Sequence, residues 1–129
     1  MKRIAIICYH SCPTADLGVR DAGGMSVYVR NLASELARIG VETDIFSRRH
    51  DPLDPTIVEI TPGARLIHID AGPTLLSGER LPQYLPDFYF NLQEFARKEK
   101  RRYDLIHSHY WLSGRVGKTL SHAWKSPHV

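Results

Sequence analysis

Two places in this sequence hold residue types that could do chemistry together. The first is Gly23-Gly24 in the stretch DAGGMSVY. Two missing side chains there would leave bare backbone N–H groups at the start of a helix. Such an end attracts anions through its free donors and through the helix macrodipole. A phosphate or a phosphorylated sugar resting on Gly23 and Gly24 is therefore one reading, although the pair alone fits a sharp turn before a helix better. The second place is DLIHSHYW, where His107 and His109 alternate along a strand and so share a face. With His10 they could form a zinc site of the kind metal-dependent hydrolases use. No carboxylate ligand accompanies them, and such hydrolases are usually barrels. His107 reads as a core histidine bonded to backbone, while His109, nearer the rim, divides evenly between site and structure. Cys8 and Cys12 read as inert thiols, because nothing electropositive is placed to activate them. Trp111 and Trp124 could stack on sugars, but packing is the simpler reading.

Those residues need elements to position them. Met25, Tyr28, Val29, Leu32, Ala33, Leu36 and Ile39 recur at helical spacing and predict an amphipathic helix within Asp21–Gly40. Ser26, Arg30, Asn31, Ser34, Glu35 and Arg38 form its polar face, Val27 is a misfit, and Gly40 suits the left-handed position past the last turn. Before it, Arg3 to Tyr9 is a short apolar run, as expected for a strand buried on both faces. His10 to Ala22 is a long loop, and Val41 to Ser47 a second strand, completing a right-handed βαβ unit.

Farther on, Arg48 to Pro55 is a polar loop. Thr56–Ile60 and Arg65–Asp70 are short strands around a Thr61-Pro62-Gly63 turn, and Ala71 to Leu81 is loop. Pro86 can open a helix whose inner face is Leu85, Phe88, Leu92, Phe95 and Ala96. Arg97, Lys98, Lys100 and Arg101 could form a membrane or partner patch, but a solvated helix end is the simpler reading. Asp104 to His109 is a strand, Tyr110 to Gly114 a turn, and Val116, Leu120, Ala123 and Trp124 mark a last helix. His128-Val129 resembles the opening of another core strand, so a longer protein is expected.

With 129 residues, 43% hydrophobic and 24% charged, the chain has the composition of one soluble globular domain. A net charge of +3 is too small to argue for nucleic acid; it is compatible with a weak attraction to anionic lipid but does not indicate membrane association. Two cysteines without a wider framework fit a reducing compartment. The apolar run after Met1 is too short for a signal peptide or a membrane span, which makes the cytoplasm the expected location.

Alternating strands and helices imply a doubly wound, Rossmann-like α/β fold with a mostly parallel sheet. Its usual order, 3-2-1-4, sets strand Arg3–Tyr9 beside strand Asp104–His109 with the topological switch between them. His10, the glycine pair, His109 and Tyr110 then meet at the carboxyl edge of those two strands, where open α/β sheets bind ligands.

The blocks HSCP, DAGGMSVYVRNLASELARIGVETDIFSRR and DLIHSHYWLSG, in that order, resemble the amino-terminal domain of the family 4 retaining glycosyltransferases. The likeness is to the branch that holds D-inositol-3-phosphate glycosyltransferase and sucrose-phosphate synthase. GGMSVY together with HSHYW is specific, whereas the double glycine alone is not. The resemblance implies a GT-B enzyme of two Rossmann-like domains, with residues 1–129 as the acceptor-binding domain and the donor-binding domain beyond them. It implies a nucleotide-sugar co-substrate of the UDP type, a sugar, cyclitol or lipid-linked acceptor carrying phosphate, and no essential metal. By the same resemblance His10 touches the acceptor, and Asp21, Gly23, Gly24, Met25 and Ser26 wrap it. Gly24 also brings its amide to the donor diphosphate, and Tyr110 reaches the acceptor phosphate.

The sequence departs from that pattern twice. Ser26 stands where the inositol-phosphate enzymes usually have asparagine, and Gly78 stands where they have a phosphate-binding lysine. Losing a charge-assisted contact matters. Either Arg80 compensates from two residues away, or the acceptor differs. The catalytic residues are expected beyond residue 129, so this chain alone should not turn over. Stabilising a departing diphosphate suits bare glycine amides at a helix start, and transfer on one face of the sugar needs no glycosidase-type carboxylate pair. The rival classes are the zinc hydrolase, a non-catalytic sugar-phosphate or nucleotide-binding module, and a nicotinamide-dependent dehydrogenase. The last is opposed by a first turn that lacks G-x-G-x-x-G.

Overall fold

The computed structural model describes residues 2–10 and 24–129, with the backbone alone described for Gly24, Met25 and Ser26. In chain order the elements are β1 (Arg3–Ile7), α1 (Gly24–Arg38), β2 (Glu42–Arg48), β3 (Ile57–Thr61) and β4 (Ala64–Ile69). A 3-10 segment (Gly78–Tyr84), α2 (Leu85–Lys98), β5 (Leu105–Ser108) and α3 (Tyr110–Trp124) follow. The sheet order is β3-β4-β2-β1-β5, parallel except for the β3–β4 hairpin at one edge. His128 adds an isolated parallel bridge to Ile106 beside β5.

Strand side chains alternate between faces, and here both faces are covered. Ile4, Ile6 and Cys8 point with Ile45 and Leu66 toward Val29 and Ala33 of α1. Ala5, Ile7 and Tyr9 point with Phe46 and Ile67 toward Phe88 and Leu92 of α2 and Leu112, Val116 and Leu120 of α3. The apolar run at β1 is thus a strand buried on both sides. Gly40, at φ +90°, takes the left-handed position after α1, and its N–H closes the helix on the Ala37 carbonyl.

The structure corrects the expected faces in several places. Tyr28 and Ile39, expected in the core, are exposed, and so is Ala123. Leu36 packs as expected, and half-buried Ala37 joins it in the contact of α1 with the sheet. The expected turn Tyr110–Gly114 is the first turn of α3. There, burial of Leu112 and Ser113 outweighs the breaker signal of Gly114, as tertiary packing routinely overrides propensity. The expected loop from Ala71 contains the 3-10 segment from Gly78. Trp111 is exposed rather than packed, whereas Trp124 stacks on Tyr103 at 5.2 Å.

Arg101 is not a solvated helix end. It reaches Asp44 at 3.2 Å, and Asp44 is 1% exposed in the middle of β2. Arg65 meets the same carboxylate with two hydrogen bonds of 2.8 and 3.0 Å, and the Tyr103 hydroxyl donates to it at 2.6 Å. Hydrogen bonding to Asp44 is the chief reason the Arg65 guanidinium is held charged beyond its ordinary range, and burial is the chief reason the Tyr103 phenol is pushed up. This cluster ties β2, β4 and the segment after α2 into one unit. Because a buried charge that loses its partner is costly, Asp44→Ala should destabilise the fold by about 3 kcal/mol. Urea unfolding of the two proteins measures the difference.

Candidate functional site

Two backbone pairings build the site. β1 and β5 run in register with Ile7 opposite Ser108, and His109 N–H continues the ladder to the Ile7 carbonyl at 3.1 Å. The carboxyl ends of the two strands therefore finish level, and the residues that follow them meet. The ring of His10, just past β1, lies edge-on to that of Tyr110, at 4.3 Å between centroids. His109 lies against His107 at 4.5 Å, so the alternating pair does share a face. Tyr28, in the early part of α1, sets its ring edge-on to His109 at 5.6 Å.

That last contact decides where α1 points. It brings the amino-terminal part of α1 over the end of β5, next to the His10–Tyr110 pair. Gly24 is the first residue of α1. The expectations for Asp21 and Gly23 lie outside the described residues, as do those for the side chains of Met25 and Ser26 and the reading of Cys12. Cys8 is a buried cysteine on the α1 face.

α3 brings a second helix start to the same edge. Its flanking residue His109 makes no side-chain cap bond to the first turn. The early amides of α3 are thus donors of the kind that attract anions. Tyr110 opens the helix at φ +69°, a left-handed conformation that a bulky residue rarely takes. The residue is 61% exposed. Ser113, buried in the first turn, accepts a 2.9 Å hydrogen bond from Tyr9 N–H and fixes α3 to the end of β1.

The histidines here are poorly charged. Burial lowers the His109 pKa most, with His107 and His10 adding to it. Burial followed by the neighbouring His128 lowers that of His107, and burial alone lowers that of His128. The buried Nε2 of His109 has no hydrogen-bond partner among the described residues, while half-buried His107 stands on the ring of His109 rather than deep in the core. His128 Nε2 bonds to Ser108 Oγ at 2.7 Å, and its ring packs so closely on Gly117 that a methyl group there would stand 2.5 Å from Nε2. Among the described residues, His10, His107 and His109 do not form a cluster of convergent metal ligands.

A third wall comes from the segment after β4. Buried Arg48 donates to the carbonyls of Ala71, Pro73 and Thr74 at 3.2, 2.8 and 3.1 Å. The Tyr9 hydroxyl donates to the Leu81 carbonyl at 2.7 Å, and burial pushes that phenol up to about 12. Both anchors were invisible as such in the sequence, since a strand-end arginine and tyrosine carry no motif. Gly78 has open space where a side chain would start, and Arg80 is exposed with only a 3.5 Å contact to the Tyr84 hydroxyl.

Residues 23–129 match a family described as a glycosyl transferase 4-like domain. The chain is 48% identical over 128 residues to D-inositol 3-phosphate glycosyltransferase of Corynebacterium jeikeium, covering 98% of this chain and 30% of that protein. It is 45% identical over 131 residues to the protein of the same name from Kineococcus radiotolerans, covering 100% of this chain and 30% of that one. It also superposes on sucrose-phosphate synthase from Thermosynechococcus elongatus with a TM-score of 0.88 at 39% identity, covering 99% of this chain and 32% of that chain. Starch synthase IV from Arabidopsis thaliana, at 17% identity and a TM-score of 0.64, shares the fold. The sheet is that of the amino-terminal part of GT-B glycosyltransferases. The chain spans about 30% of the length of the curated relatives. No helix among the described residues is long and apolar enough to cross a membrane.

The depressed histidines make a pH prediction with a definite sign. Their folded pKa values lie below the unfolded value of about 6.5, so the unfolded state binds more protons as pH falls. Stability should be independent of them well above that value and decline below it. Urea midpoints from about pH 8 down to about pH 5 should show the decline, and His109→Gln should make it shallower.

Proposed function

Because the chain belongs to the glycosyl transferase 4-like family, we propose that it is the acceptor-side domain of a retaining glycosyltransferase. The reaction would move a sugar from a nucleotide-sugar, of the UDP type, to a sugar, cyclitol or lipid-linked acceptor bearing phosphate. Residues 1–129 supply the acceptor half, and the donor half lies in the rest of the protein. The observation that carries this reading is the meeting of His10, Tyr110 and Tyr28–His109 at the carboxyl ends of β1 and β5. That arrangement brings the beginnings of α1 and α3 to one edge.

The roles are those the family resemblance implies, and the meeting of His10 with Tyr110 supports theirs. Gly24, at the mouth of α1, offers its amide to the donor diphosphate as charge develops on it. Asp21, Gly23, Met25 and Ser26 wrap the acceptor. His10 orients an acceptor hydroxyl, and its ring braces Tyr110. The phenol of exposed Tyr110 hydrogen-bonds the acceptor phosphate, helped by the amides opening α3. His109 Nε2, buried and without a hydrogen-bond partner among the described residues, gains one from bound acceptor, which offsets a penalty of about 1–3 kcal/mol. With transfer on one face of the sugar, the leaving phosphate takes the acceptor proton, so this half needs no general base. Support for an acceptor other than inositol phosphate comes from Gly78, where the sequence lacks the lysine of that branch. Arg80, exposed nearby, is the available cation.

The experiment is a donor and acceptor screen on the complete protein, read by release of nucleoside diphosphate. In that protein Gly24→Val should largely abolish transfer by blocking diphosphate approach, and near-normal turnover would remove Gly24 from the site. Tyr110→Phe should weaken a phosphorylated acceptor by about 1–2 kcal/mol, seen in its KM, while leaving an unphosphorylated acceptor unaffected. An unchanged KM for the phosphorylated acceptor would exclude Tyr110.

A further inference from the structure

A second group of chemistry-bearing side chains stands apart from the β1–β5 edge. His50 lies just past β2, Asp54 in the loop that follows, and His68 near the end of β4. Their ligand atoms all lie within 4.8 Å of one another. His50 Nδ1 is 3.1 Å from Asp54 Oδ2, and His68 Nε2 is 3.7 Å from the same oxygen. For a tetrahedral ion with bonds of about 2.0–2.1 Å, neighbouring donors stand roughly 3.3 Å apart. The two distances to Asp54 bracket that value, and an ion would draw the two imidazoles, which stand within 4.8 Å of each other, toward it.

The surroundings also suit a ligand set. The side chain of His68 is 1% exposed, and its Nδ1 is 2.6 Å from the Pro55 carbonyl. Donation of Nδ1–H to that oxygen leaves the Nε2 lone pair facing Asp54. This is the outer-shell arrangement that fixes the tautomer of a metal-binding histidine. Among the described residues, buried Asp54 Oδ2 makes no hydrogen bond of good geometry, despite its nearness to both rings. Arg49 holds the loop in place, donating to the Asp54 carbonyl and to Thr56 Oγ1 at 2.9 Å. Its charge is balanced by Asp70 at 2.7 Å and not by the Asp54 carboxylate. His50, 46% exposed, leaves a way in from solvent.

We propose that His50, Asp54 and His68 form a binding site for a divalent cation of the zinc type, with a fourth position open to water. Two imidazoles and one carboxylate are a borderline donor set that suits zinc better than magnesium or calcium. The ion fastens the loop after β2 to the end of β4. It acts as a clip on the carboxyl edge of the sheet and takes no part in transfer at the β1–β5 edge.

The test titrates the purified protein with Co2+ and with Zn2+ against a chromophoric chelator. One equivalent of Co2+ should give the visible absorption of a tetrahedral N/O site, and one equivalent of Zn2+ should displace it and raise Tm. His50→Gln, at the exposed ligand, and Asp54→Asn should weaken binding by at least the ~10–100-fold that even outer-shell partners are worth. His10→Gln/His107→Gln should leave it unchanged. His68→Gln should also abolish binding, and the His50 variant decides the matter if the buried substitution fails to fold. Absence of the tetrahedral spectrum from folded protein, or binding unchanged in His50→Gln, overturns the proposal.

Discussion

The in-register pairing of β1 with β5 is the constraint on which the rest of the structure depends. Parallel strands cannot be joined by a tight turn, so each must hand the chain to a long crossover on leaving the sheet. When two neighbouring strands end level, their crossovers leave from the same edge and the elements after them begin side by side. Here the level ends are Ile7 and Ser108, and the ladder runs one step further to His109. The carboxyl edge gathers imidazoles, phenols and helix beginnings because of that alignment, since His10 and Tyr110 are a hundred positions apart in the chain.

Holding that edge in shape falls to buried polar groups. On the α2–α3 face of the sheet, Asp44 gathers Arg65, Arg101 and Tyr103 toward one end of β2, and Arg48 gathers three carbonyls of the segment after β4 at the other. Both sit on β2, the neighbour of β1. Buried charges are tolerated when each has several partners. β2 therefore fixes both the frame and the third wall of the crevice, although it contributes nothing to the proposed chemistry.

Much of this was legible in the sequence because periodicity reports burial directly. The two-sided strand at Arg3–Ile7, the amphipathic α1, the order of β2, β1 and β5, and the meeting of His10 with Tyr110 all follow from pattern and topology. The resemblance carried by GGMSVY and HSHYW agrees with the family match. The failures have physical causes. Tyr28 has the right spacing for the core, yet it stands at the end of α1 that overhangs the sheet, where the surface below is His109 rather than β-strand. Tyr110–Gly114 reads as a turn because its glycine and small residues are weak helix formers, and only the packing of Leu112 and Ser113 shows otherwise. That error hid a second helix beginning at the edge. Arg48 and Asp44 could not be singled out, because the worth of a buried charge depends on partners supplied by distant segments.

The central claim is that the joint edge of β1 and β5 receives a phosphorylated sugar acceptor. Its most direct measurement is an NMR titration of the protein with a sugar phosphate, following backbone amides and histidine rings. The expected result is that saturable shifts concentrate on His10, His109, Tyr110 and the first turns of α1 and α3. Saturable shifts confined to other surfaces, with those residues unmoved, would contradict it.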